Sequence, residues 1–554
     1  MTGQPQLVPF RYDVPTDQYP YYHLRLRLQA DTDTSLTIQQ VRVDGQRSRD
    51  YRVYRSGVPA SCDTILAAAD DEELVLRVDW TNGSAHRVEV DVERAGGQTL
   101  MLTSESTAPE RGGWWHTGWR YYASVVVSES AGLARTNEPI HVLLGLYADR
   151  LTDPAREVRV VGIDPASGVA HETPSQVYDI STYDAESDQF SQPTTTFEVA
   201  FLADVPAHGA KVYLIFYGNA AAPPPQYATD LSVSGQSLAY TIDNDYYRAR
   251  LHARAGTLDD VLLKGGVNTL FEHHVENNGA LHWNPGVYTR ERRWAHQSDW
   301  DPPPSELAYG GPVFFMTRRT GPMPSYPEVL CTVTYTFYAH QPYIVMRSAV
   351  DVIEDIDVYA IRSGEAVFNH KVVREFAWKQ PDGEVGSVSI YDTPKSPRLG
   401  TYMQYDVPWW AFYNRDLESG FAGLNLDVIN IQRGRSLIHW EPYTYLYWSD
   451  ELIYCCRPLV YTFATAPWNN PQRMMRIPRG STFYEHMAFY PFRLGHTDAN
   501  RLAPIEAMYQ RLAQPLDVSV VMLDIDPRAP DGWPRPEWLT RDDYTRPAGD
   551  TAKH

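Results

Sequence analysis

Period-two alternation runs through this sequence from end to end. Between Tyr21 and Leu102 the segments HLRLRLQA, SLTIQQVRV, ELVLRVDW and HRVEVDVERA set apolar against polar residues in turn, with Asp/Gly/Ser clusters between them. Successive side chains of a strand point to opposite faces, so such runs predict antiparallel strands with one wet face. The pattern returns in ASVVVSES, IHVLLGLYA, TTFEVAFLADV and KVYLIFYGN, and again in EVLCTVTYTFYA, YIVMRSAVDVI, VGSVSIYD, WWAFYNRD, GFAGLNLDVI and LIYCCRPLVYTFATA. Only APIEAMYQRLAQPL, from Ala503, reads as a helix. The expected fold is all-β, with N-terminal β-sandwich or barrel domains followed by a large antiparallel β-supersandwich.

A chain of 554 residues exceeds one typical domain. The proline run in AAPPPQYATDL removes amide donors and stiffens the chain, which marks a linker. The expected division is residues 1–110, a β-sandwich; 111–230, a barrel-like β-domain; 231–520, the supersandwich; and 521–554, a tail. RGGWWHTGWRYY, with Trp114, Trp115, Trp119 and His116, reads as an aromatic plug between domains.

Net charge of −20 argues against a nucleic-acid partner, since phosphate binding needs a cationic surface. An anionic substrate then requires a locally basic pocket. Aromatic residues make up 12%, with 37 Tyr and 15 Trp, which suits sheet surfaces and the stacking of sugar rings. No basic segment followed by an apolar run opens the sequence, and no stretch nears about 20 apolar residues, so the expectation is a cytoplasmic protein without a membrane span. Cys62, Cys331, Cys455 and Cys456 are scattered and read as reduced thiols.

One segment breaks the alternation. Phe271 to Pro304 holds His273, His274, His282 and His296, Trp283, Trp294 and Trp300, Tyr288, and Arg290, Arg292 and Arg293, without helical or strand spacing. Proton-transfer groups, cations and flat rings between turn signals describe a loop that carries chemistry. His282, Tyr288 and His296 are candidates for acid or base, and Arg290, Arg292 or Arg293 for a carboxylate clamp. The same arginines could instead pair with the local acids Glu291, Asp299 and Asp301. Trp283, Trp294, Trp300, Trp409, Trp410 and Tyr443 are candidate sugar platforms.

Further candidates lie on strands. In IRSGEAVFNHK, Arg362, Glu365, Asn369 and His370 group together, with Glu365 and His370 assigned to substrate binding. From Ile438 to Trp448, His439, Glu441 and Tyr443 share one face, so His439 with Glu441 could bind a divalent metal ion. Glu485 and His486 are adjacent and face opposite sides of any strand, so at most one enters a site. No P-loop, dinucleotide glycine fingerprint, HExxH or GxSxG occurs in a useful context.

The run Ile242-Asp243-Asn244-Asp245-Tyr246-Tyr247, then Gly256-Thr257-Leu258 and Lys264-Gly265, resembles the opening of the supersandwich of galactose-mutarotase-like proteins. Arg135 to Ile140 through Tyr217-Gly218-Asn219 resembles the barrel-like domain attached to it in exo-acting rhamnogalacturonan lyase relatives. The resemblance implies a carbohydrate-active enzyme; no catalytic residue is carried over by position.

Hydrolysis needs two carboxyl groups flanking the scissile bond, for which Glu365, Glu441 and Glu485 are available. β-Elimination beside a uronate needs a base, an acid and a cation, which the His, Tyr and Arg content matches better. The expected activity is exo-acting lyase cleavage of a uronate-containing oligosaccharide or polysaccharide, with a hydrolase or a non-catalytic sugar-binding protein as alternatives. Trp283 to Pro304 and Asp406 to Trp410 are read as walls closing one end of the groove.

Overall fold

The computed structural model describes the chain except residues 1–5, 14–21, 30–34, 50, 56–57, 60–63, 67–71, 79–84, 95, 108–118, 120, 148–149, 164–169, 184–193, 273–285, 293, 369–371, 391–400, 405–406, 433–434, 437–442, 449–452, 462–473 and 526–554. The regular structure of the described residues is almost entirely antiparallel strand, as the alternation predicts. They fall into two compact units, one within Met1–Gln226 and Leu516–His554, the other within Tyr227–Pro515. No helix among them is long and apolar enough to cross a membrane.

The first unit contains two two-sheet cores. In one, Leu24, Leu26, Val53, Leu74 and Leu76 meet Leu36, Ile38, Val41, Val88, Val90 and Val92 of a second sheet. In the other, Tyr121–Ser128, Arg159–Ile163 and Ala210–Tyr217 face the Arg135–Tyr147, Ser175–Tyr183 and Thr194–Val205 strands, with Val125, Leu144, Phe197, Val199, Phe201 and Ile215 between them. Asp517–Ile525 joins this core as an edge strand, antiparallel to Tyr121–Ser128. The chain from residue 521, read as tail, is thus strand as far as Ile525, because DVSVVMLDI continues the alternation. Trp119 packs inside this unit with Tyr122, Val161 and Phe216, and its indole N–H donates to the Glu157 carbonyl at 2.6 Å. Trp114, Trp115 and His116 lie outside the described residues.

A buried ion cluster fixes one corner of the same core. Glu129, 4% exposed, accepts backbone N–H bonds from Ala131 at 2.9 Å, Gly132 at 2.8 Å and His208 at 2.9 Å. The buried Arg135 guanidinium lies 3.6 Å from Glu129 and 3.8 Å from Glu138. Burial alone would raise the Glu129 carboxyl, but the backbone donors outweigh it and hold it below its ordinary value.

The second unit is built on a ten-stranded sheet. Its middle runs Phe314–Met323, Tyr326–Tyr338, Ile344–Val352, Ser481–Arg493, Ser419–Gln432 in spatial order. One face is covered by two further sheets. Phe368, from a six-stranded sheet, sits 4.6 Å from Phe412 and 5.2 Å from Phe421, and Tyr240, from a five-stranded sheet, sits 4.9 Å from Phe315. At the Trp409–Asn414 end the opposite face is covered too, by the helix Ala503–Ala513: Glu506 accepts from the Trp409 indole at 3.1 Å and pairs with Lys379 at 2.7 Å. That double cover buries every residue of WWAFYN.

Trp410 lies flat on Gly423, where an added Cβ would stand 2.3 Å from the ring. Gly423→Ala must therefore displace a buried indole, and we expect a loss of about 1–3 kcal/mol. Urea unfolding measures it; an unchanged midpoint would mean that the ring moves aside freely.

Candidate functional site

Two short strands of the irregular segment form the edge of the six-stranded sheet. Gly286–Tyr288 pairs with Ala295–His296 on one side and with Ala360–Phe368 on the other. Tyr288, His296, Arg362, Glu365 and Tyr443 thus belong to strands of one sheet. His282, Trp283, Arg293, His370, His439 and Glu441 lie outside the described residues, and with them the proposed His439/Glu441 metal pair.

Four side chains of this edge form a stack. Trp294 lies parallel to Tyr288 at 5.1 Å and to His296 at 5.9 Å, and the Arg362 guanidinium sits 4.1 Å above the Trp294 ring. Arg362 Nη2 is 3.3 Å from His296 Nε2, and Arg362 can only donate, so Nε2 accepts. Burial first, and the guanidinium second, push His296 down to about 3. It is neutral at pH 7, and at 6% exposed it packs against Trp294 and Arg362 and holds them in place.

Other candidates are committed to structure. Arg292 bonds Glu328 through both terminal nitrogens, reaches the Ser325 carbonyl at 2.8 Å, and covers the Tyr326 ring at 4.7 Å. It is not free to clamp a substrate carboxylate, and its partner is none of the local acids. Trp300 is 4% exposed with its indole bonded to the Pro322 carbonyl, and Trp409 and Trp410 are 1% and 5% exposed. None of these three can present a face to a sugar, and the Trp409–Trp410 wall is core. Arg290 is exposed and Trp294 half-buried.

Among the described residues, a row of accessible polar side chains lies on the face of the ten-stranded sheet opposite the two covering sheets. Register sets Arg318 opposite Thr334, Thr334 opposite Arg347, Arg347 opposite His486 and His486 opposite Asp427. Directly opposed residues have Cβ atoms about 5 Å apart, so Arg347, His486 and Asp427 form a contiguous cation–imidazole–carboxylate row. Arg318, Arg347 and Asp427 are exposed, His486 and Tyr484 half-buried, while Glu485 points into the core at 3% exposure. Partial burial, then Arg347, push His486 down to about 4. Adjacency of Glu485 and His486 in sequence shows that they part company, but only strand register shows which one faces outward and beside what.

Among the described residues, Asp230, Asp245 and His340 are the group whose donor atoms lie within 4.8 Å of one another. Asp230 there accepts the His340 backbone N–H at 2.9 Å and that of Asp245 at 3.2 Å.

No family model matches the chain, and no curated protein matches it. Among solved structures it is similar to an alpha-mannosidase from Enterococcus faecalis V583 at 12% identity and TM-score 0.43, over 73% of this chain and 46% of that one. It is likewise similar to a protein in the glycosyl hydrolase family 38 from Enterococcus faecalis, at 12% identity and TM-score 0.41, over 73% and 48%. A galactose mutarotase-like protein from Lactobacillus casei ATCC 334 matches at 11% identity and TM-score 0.30, over 47% of this chain and 100% of that one. The chain spans less than half the length of the first two. At these scores the likenesses assign no activity.

Proposed function

We propose that this chain is a carbohydrate-active enzyme that binds an anionic, uronate-containing glycan on the face of the ten-stranded sheet opposite the two covering sheets and cleaves it by β-elimination. The observation that carries this reading is the Arg347–His486–Asp427 row with Tyr484 beside it on the same face. The sequence resemblance to mutarotase-like carbohydrate-active proteins supplies the sugar.

Arg347 receives the uronate carboxylate and stabilises the enolate that develops from it. His486, neutral at pH 7, takes the C5 proton; the C4–O4 bond breaks as the C4=C5 double bond forms, and the Tyr484 hydroxyl protonates the departing oxygen. Burial, the larger cause of the low His486 value, stays, but a carboxylate on Arg347 offsets the smaller one, the guanidinium charge, and to that extent substrate strengthens the base. Arg318, two strands from Arg347 and hence about 10 Å away, suits a second acidic unit. Terminal-unit release remains part of the proposal on the resemblance to exo-acting lyases, since the Trp409–Trp410 wall no longer supports it.

Incubation of the full chain with a panel of uronate glycans tests the reading. We expect the absorbance of unsaturated uronate, and single terminal units as the first products. Reducing ends without that absorbance would make the protein a hydrolase, binding without either a sugar-binding module, and early mid-length fragments would replace terminal with internal cleavage.

A further inference from the structure

We infer that the core of the second unit holds a small monovalent anion, a halide or a carboxylate of formate size, on Arg319. This site is on the inner face of the ten-stranded sheet, opposite the face proposed for substrate, and does not depend on that proposal.

Arg319 is 0% exposed, and none of its three guanidinium nitrogens has a hydrogen-bond partner. Its guanidinium lies 4.8 Å from the Tyr335 ring centre, which offers an electrostatic contact but no acceptor for its N–H groups. Burial pushes Arg319 down to about 9, and Glu306 pulls it back up, so it stays protonated at neutral pH. A buried, unpaired charge is among the most costly features a fold can carry. Glu306, its opposite number on the edge strand Ser305–Gly310, is exposed and makes no hydrogen bond to it.

The surroundings are built for an acceptor. Thr317 and Ser348, 1% and 2% exposed, both have hydroxyls without a partner. Thr317 is directly opposite Tyr335, and Ser348 is diagonal to it, next to the Met346 that pairs with Tyr335 by one step of the same face. Arg319 lies over the Tyr335 ring and shares a strand face with Thr317 two residues away, so a group the size of chloride or formate beside the guanidinium is within reach of the Thr317 hydroxyl, whereas Ser348 is two strands away at about 10 Å. Gly256, at φ +62°, passes where any side chain would collide: an added Cβ would stand 2.8 Å from Arg319 Nη1. An unpaired cation and an unpaired hydroxyl donor lie on one strand face without an acid bonded to either. That is anion chemistry; a water molecule would satisfy N–H groups but bring no negative charge.

Thermal unfolding of the full chain in sodium chloride, sodium bromide or sodium formate, against sodium methanesulfonate at equal ionic strength, tests the site. A ligand that binds only the folded state raises Tm saturably, by roughly 5 °C at a hundredfold excess over Kd for a unit of this size. We expect such a rise in the small anions, its order among halide and formate identifying the occupant, and its loss in Arg319→Gln. If that variant does not fold, Thr317→Val should fold and show at least a tenfold weaker anion response. Glu306→Gln should retain the response, since Glu306 is not the counter-ion. Equal unfolding temperatures in all four salts would overturn the inference, as would an anion response undiminished in Thr317→Val or one abolished by Glu306→Gln.

Discussion

His486→Ala should lower turnover on a uronate glycan at pH 7 by about a hundredfold or more, the usual worth of a positioned general base. The pH profile then separates a base from a merely structural imidazole. In the free enzyme burial and Arg347 hold His486 at about 4, so kcat/KM should fall on the acid side only near that pH. Arg347→Met removes the second of those causes: the acid limb should move up towards the ordinary histidine range, while KM rises because the carboxylate clamp is gone. An acid limb that stays in place in Arg347→Met, or a wild-type rate in folded His486→Ala, would remove this row from the mechanism.

The largest expected stability effect is far from that face. Glu129→Ala strips the carboxylate from backbone N–H groups that include those of Ala131, Gly132 and His208, and removes one of the carboxylates beside the buried Arg135. Breaking a buried pair on one side typically costs about 3–5 kcal/mol, and we expect a loss of that order at pH 7 by denaturant unfolding. The sign with pH follows from the direction of the shift. The folded carboxyl titrates below its unfolded value, so its contribution is present above the unfolded value and fades as pH falls through the folded one. Wild type and variant should therefore converge in acid. A constant difference from neutral to acid pH would mean that the loss is one of packing, not of charge.

The fold was legible because alternation is a local property. HRVEVDVERA and TTFEVAFLADV carry their own faces, and the structure buries the residues the pattern says it should. The chemistry was less legible because it is made by register. Arg347, His486 and Asp427 stand in three separate segments, and nothing within any one of them marks the other two as neighbours. Trp409 and Trp410 show the reverse error: tandem indoles beside proline look like a binding wall, but a helix on one face and a sheet on the other make them core. Arg292 shows a third kind. The acids near it in sequence were plausible partners, whereas Glu328 reaches it from a neighbouring strand.

The edge strand Asp517–Ile525 has a consequence for how the protein is made. Its partner Tyr121–Ser128 emerges early from the ribosome, while the strand itself is translated only after the whole of the second unit. Until then the early strand keeps one row of amides unmatched, an invitation to adventitious pairing with other chains. A stop codon or protease cut just after the second unit would leave that row bare for good. Isolating the second unit by expression of Tyr227–Pro515 is consistent with its contacts, but cutting the gene at either junction cannot yield an intact first unit unless the two pieces are joined or supplied together.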